Sequence, residues 1–181
     1  GRGPAGDQDP GLGNVTWDPV KQQFFVTNVE DGRSYRISFT GTILSTFDPG
    51  ASDPGPTNPS AIPPASAIGA APLGERLWAV KWHGGRVYYS RWNRDFGHPV
   101  ATPNEVRSVG LNGSGDFNGW DDRLEIKLPV FNASNFSNPV SDLAFNSKGD
   151  MLVAERGMTD ITTTVAHQSR LLEYKCQNFT W

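Results

Sequence analysis

Residues 15–47 read VTWDPVKQQFFVTNVEDGRSYRISFTGTILSTF. Apolar clusters at Phe24-Phe25-Val26, Tyr35-Arg36-Ile37 and Ile43-Leu44 follow a first short run at Val15, and polar breaks at Asp18-Pro19 and Glu30-Asp31-Gly32 separate them. Aromatic and β-branched residues suit a pleated, half-buried surface, whereas Asp, Pro and Gly set the dihedrals that turns require. The stretch therefore predicts four short strands joined in up-and-down order.

The same order recurs downstream. Residues 141–157, SDLAFNSKGDMLVAERG, place Ser147-Lys148-Gly149-Asp150 where the first unit has its Pro19-Val20-Lys21 turn, with Met151 to Ala154 as a second strand. Residues 169–181, SRLLEYKCQNFTW, supply a third strand at Leu171 to Tyr174 and the start of a fourth at Phe179 to Trp181. Between these units, LWAVKWHGGRVYYSRW (Leu77 to Trp92) predicts two strands around the His83-Gly84-Gly85 turn, and Glu105 to Leu111 and Leu124 to Leu128 complete a looser middle unit. Equivalent positions return at roughly 60–65 residues, a period expected of radially repeated four-stranded blades. The expected units are 14–47, 75–129 and 138–181, within a single all-β domain over 14–181. A flexible lead covers 1–13, and a Pro-rich excursion between blades covers 48–72.

Composition agrees with this class. Across 181 residues there are 20 glycines and 14 prolines, and only 19% of residues are charged. Glycine and proline cost a helix interior about 1 and about 3 kcal/mol against alanine, so frequent punctuation argues for strands and turns. A net charge of -3 provides no basic field for phosphate neutralisation, which excludes nucleic acid as an expected partner. No apolar run approaches the ~20 residues that a membrane helix needs. The glycine-rich start without methionine suggests a processed terminus, and a secreted or cell-envelope location with its signal removed is the expectation. The single cysteine, Cys176, forms no intramolecular disulfide and reads as a structural thiol.

The first and third units resemble blades of the β-propeller group that includes NHL-repeat, gluconolactonase-like and soluble quinoprotein dehydrogenase-like proteins. The resemblance lies in Val15-Thr16-Trp17-Asp18-Pro19 with Gly32-Arg33-Ser34-Tyr35-Arg36-Ile37, and in Asp142-Leu143-Ala144-Phe145 with Gly149 to Gly157. It implies about three blades of a six-bladed or similar ring, completed by further chain, a second copy or another protein. It also carries two enzyme alternatives. Gluconolactonase-like proteins hold a metal through an acidic residue early in the first blade, where this chain reads Leu12-Gly13-Asn14-Val15. Quinoprotein dehydrogenases need a histidine and several arginines around the cofactor, and here only His167 lies near the matching segment.

Several side-chain groups have functional and structural readings side by side. Five Asn-x-Ser/Thr sequons, at Asn14, Asn112, Asn132, Asn135 and Asn178, suggest a glycosylated extracellular surface, although Asn and Ser are also ordinary turn residues. Asp116, Asn118, Asp121 and Asp122 gather oxygen ligands that Ca²⁺ could use, but they miss the regular loop pattern and its bidentate Glu. A solvated hairpin turn is the favoured reading there, and no cofactor other than Ca²⁺ is suggested. Trp78 and Trp82 share one face of a strand, with Trp92 after the next turn; such rings stack on sugars or partners when exposed, and fill gaps between blades when buried. Glu155 and Arg156 would face a central channel or form an ion pair at a blade rim. His83, His98 and His167 have no zinc-ligand spacing, and no Gly-x-Ser-x-Gly elbow occurs.

No catalytic set emerges from these residues. The leading expectation is a non-catalytic extracellular or cell-surface module that binds protein or glycan. The alternatives are part of a metal- or quinone-dependent propeller enzyme acting on sugars or lactones, and an assembly subunit joined through exposed blade edges.

Overall fold

A computed structural model of the chain describes residues 11–49, 70–94, 103–130, 137–177 and 181. Among these residues, eleven strands form three antiparallel sheets in simple up-and-down order. The first contains β1 (Leu12–Asp18), β2 (Gln23–Asn28), β3 (Arg33–Ser38) and β4 (Ile43–Phe47). The second contains β5 (Arg76–His83), β6 (Arg86–Trp92), β7 (Glu105–Leu111) and β8 (Phe117–Lys127). The third contains β9 (Val140–Phe145), β10 (Met151–Glu155) and β11 (Arg170–Tyr174). One 3₁₀ turn at Ala166–Gln168 is the only helical element among the described residues.

The hairpins form where the sequence places its turn residues. Asp18 Oδ1 accepts from the amides of Val20 and Lys21, and Asn146 Oδ1 accepts from those of Lys148 and Asp150. These contacts let a short side chain take the place of a backbone partner and fix the reversal. Gly32 closes the β2–β3 turn at φ +71°, and a Cβ there would lie 2.5 Å from the Glu75 carbonyl. Both constraints call for glycine.

The sheets stack face to face. Phe25 and Phe47 of the first sheet meet Val80, Val87, Tyr89 and Phe117 of the second. Tyr88, Val106 and Ile126 on the second sheet's other face meet Leu143, Met151 and Val153 of the third. The first strands lie together, with β5 packed between β1 and β9. Asn14 spans the outer two, its Nδ2 donating to Ser141 O and to Asp142 Oδ1 at 3.0 Å. The described sheets do not close into a barrel or ring.

Two sequence expectations change. Pairing between β7 and β8 continues through Gly110↔Asn118 and Val109↔Asp122 across a bulge. Asn118, Asp121 and Asp122 therefore belong to a strand, and the turn itself is confined to Asn112–Asp116, where Asn112 N bonds Asp116 O at 2.9 Å. The third sheet has three strands among the described residues; most of the fourth, expected from Phe179, falls outside them, as do residues 1–10 of the lead and 50–69 of the Pro-rich excursion.

Candidate functional site

Strand registers bring the three sheets into correspondence residue by residue. The pairs Val15↔Val26, Val80↔Tyr89 and Leu143↔Val153 occupy one position of the repeat. Trp17↔Phe24, Trp82↔Val87 and Phe145↔Met151 occupy the next position on the same face. Each first strand carries a register shift just before these pairs, in β1 before Val15, in β5 before Val80 and in β9 beside Val140. A bulge turns the strand and increases its twist, so repetition of the bulge repeats the shape of the sheet.

The junctions between sheets repeat as well. Thr27 Oγ1 accepts from Asn14 N at 3.1 Å and donates to the Trp78 carbonyl of the next sheet. One repeat later, Ser90 Oγ accepts from Ala79 N at 2.9 Å and donates to the Val140 carbonyl, also at 2.9 Å. In both cases a hydroxyl satisfies the amide freed by the bulge and ties it to the following sheet. Gly13 permits the close approach, since a Cβ there would lie 2.5 Å from Trp78 O. The third sheet has Ala154 at the hydroxyl position.

Among the described residues, each inner sheet face is covered by its neighbour and the two terminal faces are not. Val80 and Leu143 are each 1% exposed, whereas their counterpart Val15 is 57% exposed. Around Val15 the rings of Trp17 and Phe24 pack at 4.7 Å, and Phe39, itself 72% exposed, packs against Trp17 at 6.2 Å. Ile43, paired with Ile37, extends this apolar face. At the far end of the stack, Leu171 pairs with Ala154 as Val106 pairs with Ser90 and Ser34 with Thr27. Ser34 and Val106 are 1% and 0% exposed, against 68% for Leu171. Ala144 and Leu152 share the open face of the third sheet.

Of the aromatic and charged candidates, the fold brings three together. Trp78 and Trp92 pack at 5.8 Å, and the Arg156 guanidinium lies 5.8 Å from the centre of the Trp78 ring. Arg76 covers Trp92 from 5.0 Å. Met158, Val29 and Ile161 surround the cluster, so Trp92 is core, while half-buried Trp78 and exposed Arg156 reach solvent. Trp82 stands apart, at the hairpin end, where a cleft of about 360 Å³ is lined by Val20, Trp82, Leu111 and the Gly84-Gly85 turn. Glu155 is buried against Arg170 in an ion pair. Burial raises its pKa and Arg170 opposes the rise.

The four oxygen-bearing candidates go to different partners. Asp116 accepts from Ser45 and stands 3.8 Å from Arg36 of the first sheet. Asp121 accepts from Arg86 and Arg123 at 2.6 and 2.7 Å. Burial raises the Asp121 pKa, but those two arginines outweigh it and hold the group below the ordinary carboxylate range. Asp122 accepts from Tyr89 and Arg107, and Asn118 lies in the β7–β8 ladder. Burial, followed by the Asp122 charge, pushes the Tyr89 phenol well above its usual value. Among the described residues no three His, Cys, Asp or Glu side chains converge as a metal-holding group. Of the sequons, Asn14 uses its amide to join β1 to β9, and Asn112 lies exposed in a turn. Asn132, Asn135 and Asn178 lie outside the described residues.

Sequence reasoning missed Val15, Trp17, Phe39 and Leu171. No uniform type marks the Leu171 position, which carries Ser34 and Val106 in the other units, but at Val15 and Trp17 the signal available was an apolar residue recurring in the first strand of every unit. Its covered or open state depends on where a unit stands in the stack.

No protein-family model matches the chain, and no curated protein matches it. Among solved structures, one described as a protein of unknown function from Bacteroides caccae aligns over 92% of this chain and 46% of its own, with a TM-score of 0.42 and 12% sequence identity. The chain thus spans about half the length of that structure. No helix among the described residues is long and apolar enough to cross a membrane.

Proposed function

We propose that the chain is a non-catalytic, propeller-like module of an extracellular or cell-surface protein, with its sheets acting as blades and its two open faces each receiving a further β-sheet of the same repeat type. The observation carrying this reading is Val15, exposed at a position buried in both following sheets. Burying a valine contributes about 1.5–3 kcal/mol, so the Val15, Trp17 and Phe39 face provides substantial association energy once covered. Exposed contiguous apolar surface of this kind marks interaction sites in soluble proteins. The pairing of Asp116, Asp121 and Asp122 with side-chain donors supports a structural rather than metal-binding role for those residues. Trp78 beneath Arg156 is the second place where a glycan or peptide would stack, through ring and guanidinium together.

A photo-reactive phenylalanine analogue at position 39, compared with one at Thr163 on an exposed loop, tests the reading in extracts of the native source. The expected result is a discrete cross-linked product from position 39. Equal labelling from both positions would refute the open-face interface.

A further inference from the structure

We infer that the cleft beside Trp82 binds a small organic acid, a carboxylate carried on an apolar body. The cleft is a different surface from the open sheet faces, and its ligand does not depend on what covers them. Three hairpins wall it: the β1–β2 turn contributes Val20 and Lys21, the β5–β6 hairpin Trp82 and Gly85, and the β7–β8 hairpin Leu111 and Asn112. Its volume of about 360 Å³ lies in the range of small-molecule sites. The half-buried Trp82 ring, Leu111 and the exposed Val20 form its apolar part.

The hydrogen bonds already made in the lining select the ligand. Asp18, also in the lining, is buried, with Oδ1 accepting from the amides of Val20 and Lys21 and Oδ2 from Gln23 Nε2 at 2.9 Å. Asn112 Oδ1 accepts from Ser114 N, Ser114 Oγ and Asp116 N. The side-chain groups left over are donors. Lys21 Nζ gives one hydrogen to the Gly113 carbonyl at 2.7 Å and keeps the others, and among the described residues no carboxylate pairs with it. Asn112 keeps its Nδ2 hydrogens, and the buried indole N–H of Trp82 has no acceptor. Buried polar groups nearly always find a partner, so that N–H is a donor in want of one. Gly115 lets the Lys21 stem lie against the β7–β8 turn, since a Cβ there would come within 2.7 Å of Lys21 Cγ. An apolar floor edged by donors and one ammonium matches a group that only accepts and carries negative charge, and a carboxylate is such a group. Each hydroxyl of a saccharide brings a donor of its own, whereas the two side-chain acceptors of the lining, Asp18 and Asn112, are already engaged.

Titration of the isotope-labelled 181-residue chain with hydrocinnamate, followed by NMR, tests the inference. Saturable shifts are expected at the Trp82 indole N–H and at the amides of Gly84, Gly85 and Gly113. Acetate lacks the apolar body and neutral hydrocinnamide lacks the charge, and each should bind about tenfold more weakly or worse. Lys21→Gln alters an exposed side chain, so the amide spectrum away from the cleft should match the parent, while affinity for hydrocinnamate should fall by about tenfold. Absence of saturable shifts at the cleft, equal binding of the acid and its amide, or an unchanged affinity in Lys21→Gln would each overturn the inference. A methyl glucoside that moves the same resonances while the acid does not would also overturn it, and would give the cleft to glycan binding.

Discussion

His83 shows how a single side chain can connect two sheets and respond to pH. It ends β5, and its ring stacks on Phe145 of the third sheet with centroids 4.1 Å apart and planes 6° apart. Burial first, and then the nearby Lys81 charge, lower its pKa from the ordinary 6.5. A cationic ring is therefore disfavoured in the folded state, and folding favours the neutral form. That stabilisation is complete above pH 6.5 and is lost as pH falls through the lowered folded value. Urea unfolding of the parent and His83→Phe should diverge on acidification below 6.5, with the parent losing more stability because phenylalanine keeps the stack without the proton. Gly13 makes a steric prediction. A Cβ at that position meets both Trp78 O and Thr27 Oγ1, at 2.5 and 2.6 Å. Gly13→Ala should therefore cost about 1–3 kcal/mol through displacement of β5, as overpacking does elsewhere. A denaturation midpoint equal to that of the parent would show that β1 can withdraw freely.

At the level of the strand and sheet, the hydroxyl bridges give the clearest contrast. Ser90→Ala leaves the Ala79 amide, buried between two sheets, without its acceptor, so a loss of about 1–3 kcal/mol is expected. Ala154→Ser adds a hydroxyl at the matching position of a sheet with no described neighbour beyond it, and its effect should stay within about 0.5 kcal/mol. Comparing the two in chemical denaturation tests whether the repeat position or the hydroxyl itself matters. This level of structure was also the most legible from sequence. The β1 to β4 order follows from Phe24-Phe25-Val26, Tyr35-Arg36-Ile37 and Ile43-Leu44 with their turn residues, because alternation and turn chemistry are local. The β8 strand was less legible. Asn112 to Asp122 has turn composition throughout, and only cross-strand pairing with β7 separates its turn from its strand. The acidic residues look like a ligand set for the same reason: Arg86, Arg107 and Arg36, which neutralise them, come from distant parts of the chain.

For the molecule as a whole, sequence spacing indicated three units, while the open faces required the order of stacking. Val15 and Leu171 look like ordinary members of their repeat until the sheets on either side are counted. Val15→Glu and Leu143→Ala separate the repeat position from the place in the stack, because Val15 is 57% exposed and its counterpart Leu143 is 1% exposed. Charging Val15 should change the stability of the chain by no more than about 0.5 kcal/mol, as surface substitutions do. Truncating Leu143 leaves a cavity between the second and third sheets and should cost about 2–5 kcal/mol. Equal losses from the two variants in urea unfolding would show that the Val15 face is covered within the chain itself.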